Sequence, residues 1–138
     1  MLTHTLTIYG DGGSRGNPGE ASYGFVVLEG DTVIYSEGKR IGIATNNVAE
    51  YSAVLAALNY LSSSKLEHEV VNFFLDSELV VHQLNGKWKI KNEVLRGYFF
   101  KIKELQRDLQ KKFTYTAVPR EQNKLADEQV NLALDNKI

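Results

Sequence analysis

The stretch DGGSRGNPG, residues 11–19, sets Asp11 at the head of four glycines, a proline and Arg15. Chain reversal needs Gly and Pro, which supply positive φ and a fixed φ, but nothing in turn geometry needs a carboxylate. Asp11 is therefore a candidate for chemistry, and three more acids join it. Glu50 falls in the first turn of a helix-patterned segment, Asp76 directly follows the apolar run VVNFFL, and Asp127 lies in the first turns of the last helix-patterned segment. If these segments converge, four carboxylates meet with no base among them. Such a set repels itself and raises the pKa values of its members unless cations enter. Oxygen-only ligands suit Mg²⁺, with Mn²⁺ as a substitute. Two such ions about 4 Å apart are the arrangement that activates a water and stabilises a leaving oxygen in phosphodiester cleavage.

The elements that must position these acids follow from periodicity. Residues 4–10, 22–29 and 32–38 alternate or are β-rich, and Glu29-Gly30-Asp31 reads as a tight hairpin turn, so three antiparallel strands open the chain. From Asn46 the apolar residues follow the helical period through Tyr51, Val54, Leu55, Leu58 and Leu61, and Ser62 to Lys65 ends the helix. Residues 70–75 are short, apolar and β-branched or aromatic, the pattern of a strand buried on both faces. A short helix from Ser77 to Leu84 follows, then a break at Gly86 and a longer helix with Leu95, Tyr98, Phe99, Ile102 and Leu109 on one face. A strand at 113–118 and a helix from Asn123, its N-cap, to Asp135 complete the order.

This order predicts an α/β fold with a five-stranded mixed sheet, three antiparallel strands followed by parallel ones, and helices on both faces. In open α/β sheets ligands lie outside the carboxyl ends of the parallel strands. Asp11 and Asp76 end two such strands and, if these are neighbours about 4.8 Å apart, face one point.

The 138 residues fit one compact domain, 1–138, with one core. Zero cysteines exclude disulfides, thiolate zinc sites and cysteine nucleophiles. No apolar run approaches membrane-spanning length and the N-terminus lacks signal-peptide character, so the expectation is a cytoplasmic protein without membrane association. The overall charge of −1 is unevenly spread. Residues 87–112 carry nine Lys/Arg against three acids, a net +6, while the rest carries seven against fourteen, a net −7. One region is fit to attract a polyanion and another to hold cations, although a lysine-rich helix is also an ordinary solvated face.

Each acid has a plainer use. Asn47-Val48-Ala49-Glu50 has the form of a capping box, Asp76 could cap the helix that starts with Ser77, and Asp127 suits the dipole of a helix start. Asp11 starts no helix and has no such alternative.

Tyr9 to Gly19, Asn46-Asn47-Val48-Ala49-Glu50-Tyr51, Leu75-Asp76-Ser77 and Val118-Pro119-Arg120-Glu121-Gln122-Asn123 with Ala126-Asp127 resemble, in order and spacing, the motifs of type 1 ribonuclease H. The resemblance spans nearly the whole chain. It implies the ribonuclease H-like fold and an endoribonuclease that degrades the RNA strand of RNA–DNA hybrids. It further implies two divalent cations, Mg²⁺ or Mn²⁺, on Asp11, Glu50, Asp76 and Asp127, and products with 5′-phosphate and 3′-hydroxyl ends. Asp11 is then the residue shared by both ions, Glu50 sits by the scissile phosphate and the ribose 2′-hydroxyl, Asp76 holds the ion that activates water, and Asp127, partly exposed, holds the ion near it. Substrate contacts fall on Gly12, Gly13, Ser14, Arg15, Gly16 and Asn17, and on Asn46 and Asn47, with helix capping the other use of Asn46.

The chain also departs from this pattern. Many bacterial members place a histidine in the loop before the last helix; here Arg120 stands in its place, able to bind phosphate but not to transfer a proton near neutral pH. Glu78 replaces a substrate-contacting Gln of some relatives and suits a helix start. Gln129 replaces a usually apolar residue. Larger relatives carry a long basic protrusion; here Lys87, Trp88, Lys89 and Lys91 form a reduced phosphate-binding edge, unless Trp88 simply packs. Phosphate contacts alone imply cleavage nearly independent of sequence. His4, His68 and His82 are expected at the surface. The start at Met1 and the complete last helix suggest a free-standing enzyme, and a monomer with no obligate protein partner is the accompanying expectation. The rivals are a domain of a retroelement polyprotein and an inactive hybrid-binding module, the latter disfavoured because no acid is lost.

Overall fold

The computed structural model describes residues 4–138. Three antiparallel strands, β1 (Thr5–Arg15), β2 (Gly19–Glu29) and β3 (Thr32–Ala44), precede helix α1 (Asn46–Ser64). Strand β4 (Val70–Leu75), helices α2 (Glu78–Leu84) and α3 (Glu93–Leu109), strand β5 (Lys112–Ala117), a 3₁₀ turn at Arg120–Gln122 and helix α4 (Lys124–Leu134) follow. The sheet runs β3-β2-β1-β4-β5, with β1 antiparallel to β2 and parallel to β4, and β4 parallel to β5. Among the described residues no helix is long and apolar enough to cross a membrane.

The faces of the sheet follow from alternation along the strands. Leu6, Ile8, Phe25, Val27, Val71, Phe73 and Leu75 point one way and are buried with Tyr51, Val54 and Leu58 of α1 and Ile102 of α3. On the other face α4 lies over β2, with Ser22 Oγ donating to the Val130 carbonyl at 2.7 Å. Glycines let it come close. A Cβ on Gly24 would stand 2.7 Å from the Ala126 carbonyl oxygen and 2.6 Å from Gln129 Cβ, and one on Gly38 would stand 2.4 Å from the Gln129 carbonyl oxygen. The polar Gln129 is thus seated over glycines, and the packing beneath Asp127 is intact.

Three expectations change. Strand β4 is not buried on both faces: Val71, Phe73 and Leu75 are, but Val70, Asn72 and Phe74 are only half-buried, because α4 covers β1 to β3 and stops short of β4. The first strand runs five residues beyond Gly10, because the glycine-rich segment stays in register with β2 as far as Arg15↔Glu20 and turns only at residues 16–18. His68 is buried and its Nε2 lies 2.6 Å from Glu29, and His82 is half-buried against the Trp88 ring, centroids 4.4 Å apart; only His4 is exposed.

Gly12 is the tightest point between sheet and helix. A Cβ there would lie 2.1 Å from the Ala49 carbonyl carbon and 2.4 Å from the Glu50 nitrogen. Rigid backbone on both sides cannot yield as a side chain would. Gly12→Ala is therefore expected to destabilise the fold by about 3 kcal/mol or more, read from the urea unfolding midpoint, whereas Gly97→Ala, in open space on α3, is expected to be neutral or stabilising.

Candidate metal centre

The last paired residues of the two central strands are Gly10 and Leu75. One step further along this register are Asp11 and Asp76, on adjacent strands and on the same side of the sheet. Asp11 continues β1 opposite Gly24 of β2, and Asp76 begins the bend that leaves β4. Glu50 arrives from α1, whose first turn is pressed onto β1 at Gly12. One oxygen from each of Asp11, Glu50 and Asp76 lies within 4.8 Å of the other two.

The local alternatives for these acids are occupied by other residues. The N-cap of α1 is Thr45, whose Oγ1 accepts from Val48 N at 3.2 Å, so Glu50 is two residues too deep to close a capping box. The N-cap of α2 is Ser77, which accepts from Val80 N at 3.3 Å, leaving Asp76 free. Glu50 is 8% exposed and its Oε2 has no hydrogen-bond partner. Burial raises its pKa well above the ordinary carboxylate value, Asp11 and Asp76 raise it further, and the Arg120 charge partly offsets them. Burial, then the charges of Asp76 and Asp127, push Asp11 up to about 8.

Asp127, half-buried on α4, stands outside the group of three but close enough to act on Asp11. Asn131, one turn on, donates Nδ2 to the Asp127 carbonyl at 3.2 Å, with Oδ2 at 3.4 Å. The sequence reading missed Asn131; its i+4 spacing from Asp127 on one helix face was the available signal.

The four acids share a cleft of about 490 Å³ with Gly12, Gly13, Ser14 and Arg15 on one side and with Asn46, Asn47 and Arg120 on the other. Asn46 does not cap α1. Its Oδ1 accepts from Ser14 N at 2.9 Å and from Ser14 Oγ at 3.1 Å, while its backbone N donates to Asn17 Oδ1 at 3.0 Å, locking the glycine-rich hairpin to the helix. Arg15 is paired with Asp135 at 2.7 Å. Gly16 sits in the exposed turn at φ +96°. Gly12 is buried beneath α1, so its lack of a side chain serves packing.

The basic edge is a separate place. Trp88, 48% exposed, lines a second cleft of about 370 Å³ with Lys87, Lys89, Arg96, Phe99 and Phe100; Lys91 is exposed outside it. Two other cations of the segment serve the fold. Lys103 Nζ donates to the Leu84 carbonyl at the end of α2, 2.8 Å, where burial lowers its pKa, and Lys111 Nζ donates to the carbonyls of Leu66 and His68 at 2.9 and 2.5 Å.

Acids at this spacing, two of them buried, with one oxygen without a partner and no neutralising ion pair among the described residues, fit a divalent cation: the donors are hard oxygens and a cation removes the repulsion. Without one, the acids oppose folding. The folded protein retains a proton on Asp11 between the ordinary value of 3.8 and about 8, where the unfolded chain has released it. Stability therefore falls as pH rises through that window. In chelator, the urea midpoint is expected to fall across it; Asp11→Asn is expected to flatten the fall and to be the more stable protein at its upper end, and Mg²⁺ to stabilise wild type alone.

Comparison with known proteins is consistent along the chain. A family model described as reverse transcriptase-like matches residues 10–133. A ribonuclease HI of Halobacterium salinarum is 41% identical over 129 residues, 93% of this chain and 63% of that protein. A bifunctional protein of Mycobacterium tuberculosis is 41% identical over 132 residues, 94% of this chain but 35% of that protein, so the chain spans about a third of that relative's length. The crystal structure of LC11-RNase H1 in complex with RNA/DNA hybrid superposes with a TM-score of 0.90 at 38% identity, covering 96% of this chain and 98% of that one.

Proposed function

Because the chain belongs to the type 1 ribonuclease H family, we propose that it is an endoribonuclease that cleaves the RNA strand of RNA–DNA hybrids, with little regard to sequence, leaving 5′-phosphate and 3′-hydroxyl ends. The observation that carries this reading is the convergence of Asp11, Glu50 and Asp76 within 4.8 Å, in a cleft lined, among the described residues, by the two cations Arg15 and Arg120. Residues 1–138 then act as one catalytic domain, a monomer in the cytoplasm without an obligate protein partner.

Asp11, Glu50, Asp76 and Asp127 would hold two Mg²⁺ ions, or Mn²⁺ in their place, which when bound supply activation of a water and stabilisation of the leaving oxygen. Asp11, on the central strand, would contribute to holding both. Glu50, on the same helix as Asn46 and Asn47, would accept from the ribose 2′-hydroxyl, the group that distinguishes RNA from DNA. Asp76 orients the attacking side of the site. Asp127, half-buried and carried on a helix of its own, would be free to adjust as the phosphate is cut. Gly13 and Ser14 present backbone at the cleft wall without bulk, and Asn46 keeps that wall rigid. Arg120 is a fixed positive charge for a phosphate and cannot relay a proton.

The hybrid extends from this cleft to the edge bearing Lys87, Trp88, Lys89 and Lys91. Phosphate neutralisation there makes affinity fall steeply with salt.

The test is a set of strand-labelled duplexes, RNA–DNA, RNA–RNA and DNA–DNA, with and without Mg²⁺. Metal-dependent cutting of the hybrid's RNA strand, lost in chelator and in Asp11→Asn, Glu50→Gln and Asp76→Asn, is expected; hybrid binding without cutting in either Mg²⁺ or Mn²⁺ would sink the enzyme reading. Lys87→Ala and Lys89→Ala are each expected to leave turnover at saturating hybrid intact while reducing the log Kd against log salt slope by about 1.

A further inference from the structure

Where β1 and β4 part, one backbone acceptor is left over. Their pairing ends at Gly10↔Leu75; beyond it β4 bends away through Asp76 while β1 continues beside β2 alone. The Leu75 carbonyl is taken up by Val118 N at 2.8 Å. The Gly10 carbonyl is taken by a side chain from the far end of the chain, Asn123 Nδ2, at 2.8 Å.

Asn123 has an unusual account of its own. It stands at the N-cap position of α4, yet its side chain makes no capping bond. It is 0% exposed, and its Oδ1 has no hydrogen-bond partner. A buried carboxamide with its acceptor unmet costs free energy that an apolar residue of similar size would not, so its use must lie in the bond that is made. That bond joins the residue before Asp11 to the residue whose main-chain oxygen accepts from Asp127 N at 3.1 Å. One side chain thereby ties the strand carrying one acid to the helical turn carrying the other, against the mutual repulsion of the two carboxylates. The other fixings of α4, at Ser22 and Gly24, act further along the helix, on Val130 and Gln129 as well as Ala126.

We propose that Asn123 is a positioning residue: its clasp on the Gly10 carbonyl sets the separation of Asp127 from Asp11, and with it the affinity of that pair for a divalent cation. This rests on the reading of the acids as cation ligands.

The experiment measures Mn²⁺ binding alone, by electron paramagnetic resonance, to wild type, Asn123→Leu, Asp127→Asn and the double variant, each shown to be folded by circular dichroism. Asn123→Leu keeps the volume and removes the donor. It is expected to weaken Mn²⁺ binding by about tenfold, to lower kcat on hybrid with KM unchanged, and to add nothing to Asp127→Asn. Wild-type Mn²⁺ affinity in Asn123→Leu, or an equal further loss in the Asp127→Asn background, would overturn the proposal and leave Asn123 a merely structural residue. If the leucine variant does not fold, Asn123→Ser, too short to reach Gly10, is read by the same criteria. A wild-type protein that binds Mn²⁺ but cuts no hybrid sinks the ribonuclease reading without touching this one.

Discussion

Three carboxylates held within 4.8 Å of one another are the constraint on which the rest of this structure turns. Two unit charges about 4 Å apart repel by about 4 kcal/mol at an effective dielectric near 20, and here two of the three are more than nine-tenths buried. In their charged forms the acids only push one another apart. What brings them together is packing elsewhere: each fully buried Leu, Ile, Val or Phe contributes about 1.5–3 kcal/mol, and the layer between the sheet and α1 contains Leu6, Ile8, Phe25, Val54, Leu58, Phe73 and Leu75 with no exposure at all. The core on one side of the sheet therefore outweighs a repulsion concentrated at its end. Proton uptake by Asp11 and Glu50 is the protein's own relief, and a cation is the relief that leaves the acids charged.

The close approach at Gly12 is the joint between these two energies. Strand β1 and the first turn of α1 meet backbone to backbone there, with no room for a methyl group. Because Asp11 is the preceding residue in the strand and Ala49 and Glu50 are the helix residues in contact, one missing side chain sets the distance between two of the acids. The hydrogen bonds from Ser14 to Asn46 extend the same joint outward. The hairpin that walls the cleft is consequently a rigid continuation of the sheet.

How much of this was legible beforehand depended on whether the controlling interaction was local. The positions of the helices followed from apolar periodicity, which acts through many side chains at once, whereas the neighbouring of β1 and β4 was a condition that strand order left open and the meeting of Asp11, Glu50 and Asp76 was implied by the family resemblance. The extension of β1 to Arg15 did not, because backbone pairing with β2 holds GDGGSR in a strand against glycine's weak β-propensity. The half-exposed face of β4 depended on how far α4 reaches across the sheet, a tertiary fact absent from VVNFFL. Thr45 rather than Asn47 capping α1 is a two-residue shift that a Thr-Asn-Asn run leaves open. His68 looked like a surface residue between charged neighbours, and only the fold brings Glu29 to it. Asn123 was legible as a helix boundary but not as a clasp, since its partner is 113 residues away.

The four acids differ in what carries them, and this bears on how such a site could turn over. Asp11, Glu50 and Asp76 hang from the central strands and the most tightly packed helix start, so their geometry changes only if the core changes. Asp127 rides on α4, whose outer surface is solvent and whose hold on the sheet runs through glycine contacts, the Ser22 bond and the Asn123 clasp. It is also the acid with another amide beside it, Asn131, available as an alternative partner. A site that must release a product carrying a new charged phosphate needs one ligand able to yield while the others stay fixed. On the proposed reading that ligand would be Asp127, with the single buried amide at the root of its helix limiting how far it could move.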